Sequence, residues 1–505
     1  MTTSTRRPQA AATTALLAVV VDRAAPETLG RQLYLRIREL ILAGRLAAGE
    51  RLPSTRRLAE DLGVSRTVPL AAYDQLAAEG YIDARRGSGQ YVRALDGTVR
   101  PTARRAAPAP AAAQEPLAPA LRGQPFDPDA AAAALFPARE WARMMARGWR
   151  RDGAAAIGPD QWSGLRSLRA AIAGHVRALQ GLDVTAEQVA VTAGVGDALQ
   201  LIARALVPRG AEVWVEDPGH IGARHALARE GLRVVPVPVD AEGIDVAAGR
   251  WLAPHARLAL VTPQRQFPSG APLSLPRRIA LIDWARQAGA VVVADDYDSE
   301  LRFSGRPMAA LSSLDPGQAV LSVGSFSKLT FPGLRLGYVV GPQALIARLA
   351  QARAREGAPV AMGAQPAMAE FISGGGFARH LRALRRQMGQ RRQALAAALA
   401  ARLGEAVAIL PQDVGMHLTI ALREGAAGGM SDVEVAALGA ARGLNLDPLS
   451  SHGAASPAPQ GFLLGYAGWD EQRLAAGVET LARLLADCAR GAVRLRPCVD
   501  AQAAG

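Results

Sequence analysis

Residues 322–338 read SVGSFSKLTFPGLRLGY. The apolar run leading into this stretch, Ala319 to Ser325, predicts a buried strand that hands Ser325, Ser327 and Lys328 to a loop, with Arg335 following seven residues after the lysine. Lys328 is the only lysine in the chain, although Lys and Arg together make up 58 of its 505 residues. Either residue can carry a solvated charge, so drift toward arginine removes surface lysines. It cannot remove an amine that must lose its proton, because a guanidinium stays charged. Lys328 is therefore a candidate for covalent chemistry, such as a Schiff base with a carbonyl.

Hydroxyls and an arginine beside that amine suit an aldehyde cofactor carrying a phosphate, and pyridoxal 5′-phosphate (PLP) meets that description. The run VVVADDYDSE (291–300) ends an apolar strand in Asp295. A carboxylate there would hold the pyridine nitrogen protonated, with Tyr297 donating to the phenolic oxygen; taken alone, Asp295 is equally a turn or cap residue. In VAVTAGVGDALQLIARAL (189–206) a strand meets Gly194, Val195 and Gly196 at a helix start, where backbone N–H groups can cradle a phosphate. His220, after Asp217-Pro218-Gly219, is placed to stack on the cofactor ring, or is an ordinary polar residue.

Bulk properties bound the rest. Two cysteines, Cys488 and Cys498, form no disulfide or metal pattern and fit a reducing compartment. The stretch Ala15 to Val21 follows Arg6 and Arg7 but is short, meets Asp22 and Arg23, and lacks a cleavage site, so it reads as an early strand or lead-in. No run is long enough to span a membrane, and a cytoplasmic location is expected. The formal net charge is +13. Residues 1–105 hold 17 Arg against 10 Asp+Glu, a surplus that points toward a polyanion.

Composition divides the chain into a compact N-terminal module (24–94), an Ala/Pro/Arg-rich linker (95–124), an α/β domain with a mainly parallel sheet (125–496), and a tail (497–505). In the module, Leu33, Ile37, Leu40 and Ile41 form one helical stripe ending near Gly44. In LPSTRRLAEDLGVSR (52–66), Ser54 caps a second helix, Gly63 closes it in the left-handed region, and Ser65 caps a third. YIDARRGSGQYV (81–92) alternates with period two around Gly87, Ser88 and Gly89, a hairpin with a basic tip. These elements make a winged helix. Arg66 and Thr67, opening the third helix with Ser65, would reach base edges; Arg56 and Arg57 would hold phosphates; Arg85, Arg86 and the wing, Gly87 to Gly89, would meet the flanking groove of double-stranded DNA.

The module resembles the GntR-type winged helix. Two departures stand out: Thr67-Val68-Pro69 replaces the usual Asn-Thr-Val, and Ala71 replaces an arginine. Pro69 lacks an N–H in the first turn, so a later helix start, capped by Thr67, is expected. From LFPAREWARMMARGWR (135–150) through TAGVGDAL, EDPG, TPQRQFPSG and ADDYDSELRFSGRP to GSFSKLTFPGLRLGY, six ordered motifs resemble the fold-type I aminotransferase domain. Together the two parts, over residues 24–490, resemble the MocR/GabR-type regulators.

The resemblance implies a PLP cofactor on Lys328 as an internal aldimine, and a head-to-tail homodimer that places two winged helices on two DNA half-sites. In catalytic aminotransferases an arginine near the C-terminus clamps the substrate α-carboxylate. The matching stretch GFLLGYAG (461–468) has Leu463 there. The asparagine that bonds the cofactor's phenolic oxygen is replaced by Phe267, with Gln266 as its substitute, and His220 stands where these regulators carry Tyr. Arg224 and Arg265 lie near the cofactor motifs, where either could meet an anionic effector, but in so arginine-rich a chain they read as solvated surface. A cofactor grip without a substrate grip suits a sensor of PLP or of an amine or amino acid effector; the alternative is an active aminotransferase with an accessory DNA-binding domain.

Overall fold

The computed structural model describes residues 21–22, 27–85, 89–94, 123–130, 132–158, 161–296, 300–303, 308–315, 318–410, 414–454 and 459–493. Most of the stretch read as a linker, the lead-in before Val21, and the tail lie outside the described residues. The chain divides into two compact units, with the break between Leu117 and Ala118.

In the first unit, helices α1 (Leu29–Leu42), α2 (Thr55–Leu62) and α3 (Thr67–Ala78) precede a hairpin of β1 (Ile82–Arg85) and β2 (Gly89–Val92). Ser54 Oγ accepts from the Arg57 N–H at 3.2 Å, and Gly63 closes α2 at φ 61°. Leu33, Ile37, Leu58, Tyr73, Leu76, Ile82 and Val92 form the core. The expected late start of α3 does not occur. The helix begins at Thr67, with Ser65 Oγ accepting from the Thr67 N–H at 3.2 Å. Pro69 is its third residue, where the backbone N–H has no intrahelical acceptor in any helix, so the ring costs no hydrogen bond.

The second unit begins with α4 (Ala138–Ile157) and α5 (Arg166–Gln180), then β3 (Val189–Thr192), α6 (Val195–Leu206), β4 (Glu212–Asp217), α7 (Ile221–Arg229), β5 (Arg233–Asp240) and β6 (Gly243–Ile244). It continues through α8 (Val246–Leu252), β7 (Leu258–Val261), α9 (Leu275–Ala288), β8 (Val291–Asp295), β9 (Val320–Ser325), β10 (Gly337–Val340) and α10 (Gln343–Glu356). Helices α11 (Gln365–Ser373) and α12 (Gly376–Leu403) lead to β11 (Val407–Ile409), β12 (His417–Leu422), α13 (Asp432–Ala440), β13 (Asp447–Pro448), β14 (Gly461–Gly465) and α14 (Glu471–Ala489).

Eight strands form one mixed sheet in the order β3-β10-β9-β8-β7-β4-β5-β6. Strands β9, β8, β7, β4 and β5 run parallel, while β10 is antiparallel to both its neighbours. Alternation builds the two faces: Val213, Val215 and Val293 pack under α6, α7 and α10, whereas Trp214, Val292 and Ala294 pack against α8 and α9. Trp214 stacks on Trp284 at 3.7 Å between ring centroids. A second, antiparallel sheet has the order β11-β12-β14-β13.

Two glycines let β9 and β10 carry the site. A Cβ on Gly324 would fall 2.3 Å from Cζ of Tyr338. One on Gly337 would fall 2.9 Å from Oγ1 of Thr192 and 3.1 Å from Cα of Gly194. Gly324→Ala should therefore lower stability by about 2 kcal/mol through overpacking, read as a lower denaturation midpoint for the large unit.

Candidate functional site

The parallel strands end on one edge of the sheet, and the residues singled out from the sequence gather at those ends. Asp295 closes β8 and is buried. Ser325 closes β9, also buried, and Lys328 follows in a turn, half-buried. Ser327 is buried, and its Oγ meets no hydrogen-bond partner among the described residues. The same holds for Thr192 Oγ1 at the end of β3. Tyr297 lies outside the described residues.

Between β3 and α6 the chain turns at Gly194 (φ 105°), and no side chain caps the helix that starts at Val195. The ideal Cβ of Gly194 would lie 3.8 Å from Cζ of Arg335, so the guanidinium stands over this turn. Arg335 itself has φ 48°, a left-handed conformation that a side-chain-bearing residue adopts only under surrounding constraint. Behind the turn, Asp197 accepts from the Ala193 N–H at 2.8 Å and pairs with Arg353. Arg353 is buried and donates to the Val191 carbonyl at 2.7 Å. Its place was hidden in the sequence among many arginines.

Donors at a helix N-terminus, a guanidinium and the orphaned Ser327 hydroxyl suit a phosphate, and the amine of Lys328, next to Ser327 in the chain, suits an aldehyde. The residues present thus suit PLP. Gly194, Val195, Gly196, Ser325, Ser327 and Arg335 would hold its phosphate, Asp295 its ring nitrogen and Lys328 its aldehyde carbon.

His220 caps α7, its Nδ1 accepting from the Ala223 N–H at 3.0 Å. Crowding by protein atoms, then the nearby Lys328 ammonium, pull its pKa down to about 4, so the ring is neutral. Gln266 departs from the expectation that it replaces the missing asparagine. Its amide nitrogen donates to the carbonyls of Pro218 (2.8 Å) and Phe267 (2.5 Å), and its oxygen accepts from Ser269 Oγ at 2.6 Å. Those bonds brace its loop and tie it to the turn at Pro218, leaving no amide hydrogen for a cofactor oxygen. Arg265 is likewise not solvated surface. It is buried and donates to the His417 carbonyl at 3.3 Å. Arg224 is half-buried.

Glu216, which the sequence did not single out, is fully enclosed beneath this loop. Its carboxylate accepts from the Thr262 N–H at 3.1 Å and from Thr262 Oγ1 at 2.5 Å. Burial outweighs these bonds and pushes its pKa up to about 7.

In the winged helix, Arg56 and Arg57 are exposed, each paired with an acid one turn on (Glu60 at 3.2 Å, Asp61 at 3.1 Å). Ser65, Arg66 and Thr67 are exposed at the start of α3. Arg86, Gly87 and Ser88 lie outside the described residues, while Gly89 opens β2. Arg51, missed in the sequence, reaches the wing: its Nε lies 3.1 Å from the ideal Cβ of Gly89.

A winged helix joined to an aminotransferase fold with a PLP-type site defines a class of DNA-binding regulator, and the comparisons agree. Residues 133–481 match the family described as aminotransferase class I and II, and residues 29–92 match the bacterial regulatory proteins of the gntR family. The chain belongs to the MocR type of transcription regulator, in which these two families are fused. It is 37% identical over 476 residues to the "Probable rhizopine catabolism regulatory protein MocR" of Rhizobium meliloti, covering 92% of this chain and 95% of that one. It is 33% identical over 460 residues to the pyridoxine biosynthesis transcriptional regulator PdxR of Corynebacterium glutamicum, covering 91% and 96%. Among solved structures it is similar to the α-aminoadipate aminotransferase LysN of Thermus thermophilus, complexed with N-(5'-phosphopyridoxyl)-L-leucine. That likeness has a TM-score of 0.65 at 28% identity and covers 74% of this chain and 94% of that one. The fold and family imply PLP as cofactor.

Arg335→Ala should weaken PLP binding by about 2 kcal/mol, roughly thirtyfold, through loss of a charge-assisted contact, measured by titrating the protein with PLP. Glu216 makes a pH-dependent contribution of defined sign. Its folded pKa near 7 exceeds the ordinary 4.5, so the folded state holds more protons between these values. Stability falls as pH rises through that window. Glu216→Gln should flatten this part of the stability profile, measured by denaturant titration at several pH values.

Proposed function

We propose that the protein is a cytoplasmic, PLP-dependent transcription regulator that senses PLP or an amine or amino acid effector through Lys328. The supporting observation is the mismatch between two halves of one site. The groups that would hold the cofactor gather at the strand ends, whereas Leu463, at the place of the substrate-clamping arginine, is a wholly buried apolar residue. When bound, PLP would supply an aldehyde and an electron-withdrawing ring; Lys328 would hold the aldehyde carbon and Asp295 the ring nitrogen, and an effector carrying a primary amine would compete with the Lys328 amine for that carbon. The effector changes the DNA-binding state only so far as it prefers one arrangement of the protein over another. A homodimer would present two winged helices to two half-sites of an operator. No helix among the described residues is long and apolar enough to cross a membrane.

A second reading, an active aminotransferase, draws support from the fold itself and from Lys328, which would then also move a proton at the substrate α-carbon. Without a clamp to orient an α-carboxylate, this reading is the weaker one.

Visible absorbance tests the proposal. The protein incubated with PLP should show a cofactor band that Lys328→Ala lacks, and an effector amine should shift the band without producing keto acid. Sustained turnover with excess amine and keto acid would establish the enzyme instead. A colourless protein would remove the covalent role of Lys328. On DNA, Arg66→Ala should weaken binding by about 1–3 kcal/mol if it reads a base, measured by fluorescence anisotropy at fixed salt.

A further inference from the structure

The site constrains the rest of the effector as well as its amine, and this inference rests on the reading that Lys328 carries PLP and meets an amine. Leu463 lies on β14 between Thr419 of β12 and Asp447 of β13, its register partners. It packs with Phe267 and Leu449 into a small apolar patch. The nearest charge contributed by these neighbouring strands is therefore the negative one of Asp447.

Three imidazoles surround Phe267. The ring centroids of His220, His417 and His452 stand 5.4, 5.7 and 5.0 Å from its own. The electrostatic influence of Lys328 reaches His220 and His417, two of these three rings. His417 is buried, and its Nε2 meets no hydrogen-bond partner among the described residues. Burial, reinforced by Arg265 and Lys328, holds the ring neutral. His452 is also buried, with Nε2 3.2 Å from the Asp447 carboxylate. A carboxylate accepts only, so Nε2 carries a proton toward Asp447, and in the neutral ring Nδ1 presents a lone pair. That Nδ1 too lacks a partner among the described residues.

We propose that the effector is a primary amine bearing hydroxyl groups in place of an α-carboxylate, and that Leu463, His417 and His452 set this preference. A hydroxyl can donate to His452 Nδ1 and exchange a hydrogen bond with His417 Nε2. A carboxylate offers only lone pairs; it would face the lone pair of His452, the charge of Asp447, and an apolar side chain where a guanidinium would have received it. A rival anchor is Arg265, buried beside the His417 carbonyl.

The test titrates the PLP-loaded full-length protein with serinol (2-aminopropane-1,3-diol) and with serine, reading both cofactor absorbance and melting temperature. Serinol should half-saturate the change at a concentration roughly tenfold or more below that of serine, as expected of a site built to receive a hydroxyl. His452→Phe keeps an aromatic ring against Phe267 while removing the acceptor, and should raise the serinol value about tenfold while leaving that of serine unchanged or lower. Leu463→Arg should move the preference toward serine; if that buried substitution fails to fold, His452→Phe decides alone. Serine binding as tightly as serinol, with the affinity lost in Arg265→Gln, would overturn the inference and make Arg265 the anchor. A protein that takes PLP but responds to neither amine overturns it as well, leaving the cofactor reading intact. A protein that never takes PLP overturns both.

Discussion

Parallel strands share a direction, so their C-terminal ends, with the loops and helix starts that follow, collect on a single edge. Everything proposed for the large unit depends on that constraint. Asp295 and Ser325 are strand-terminal residues, and Gly194 and Lys328 sit in the turns just beyond. The antiparallel β10 completes the arrangement by returning Arg335 over the Gly194 turn. Its close approach depends on Gly337, where a side chain would collide with Thr192 and with the turn itself.

The second, antiparallel sheet meets the loop that carries Arg265 and Phe267, and there it presents Leu463. Leu463 is not an exposed vestige that a neighbouring arginine could replace by a small movement. It is sealed between two strands and against Phe267 and Leu449. Its neighbour Phe267 is ringed by three imidazoles, two of which burial holds neutral, and Asp447 stands opposite Leu463 on β13.

Those features legible in the sequence were local ones. The Ser54 cap, the Gly63 turn, the period-two hairpin and the single lysine after an apolar strand each depend on a few adjacent residues. Pro69 misled because a missing N–H was weighed without its position in the first turn, where it is harmless. Gln266 misled because its nearness to Phe267 says nothing of the Pro218 carbonyl, which a different loop brings to it. The histidine collar was beyond reach: His220, His417 and His452 lie on three distant segments that only the tertiary fold brings to one ring. Arg265 and Arg353 were lost in a crowd of arginines, since composition cannot show which few are buried.

The single lysine has a consequence outside any cofactor cycle. In this sequence Lys328 offers the only ε-amine, so reagents that acylate or reductively alkylate lysine side chains meet one target. Adventitious aldehydes and acyl donors in a cell would act on the same atom, and the arginine-rich surface would scarcely register them. Lys328 is thereby also the sole point of lysine-directed chemical injury in this sequence, and labelling read at that residue would report directly whether its amine is covered.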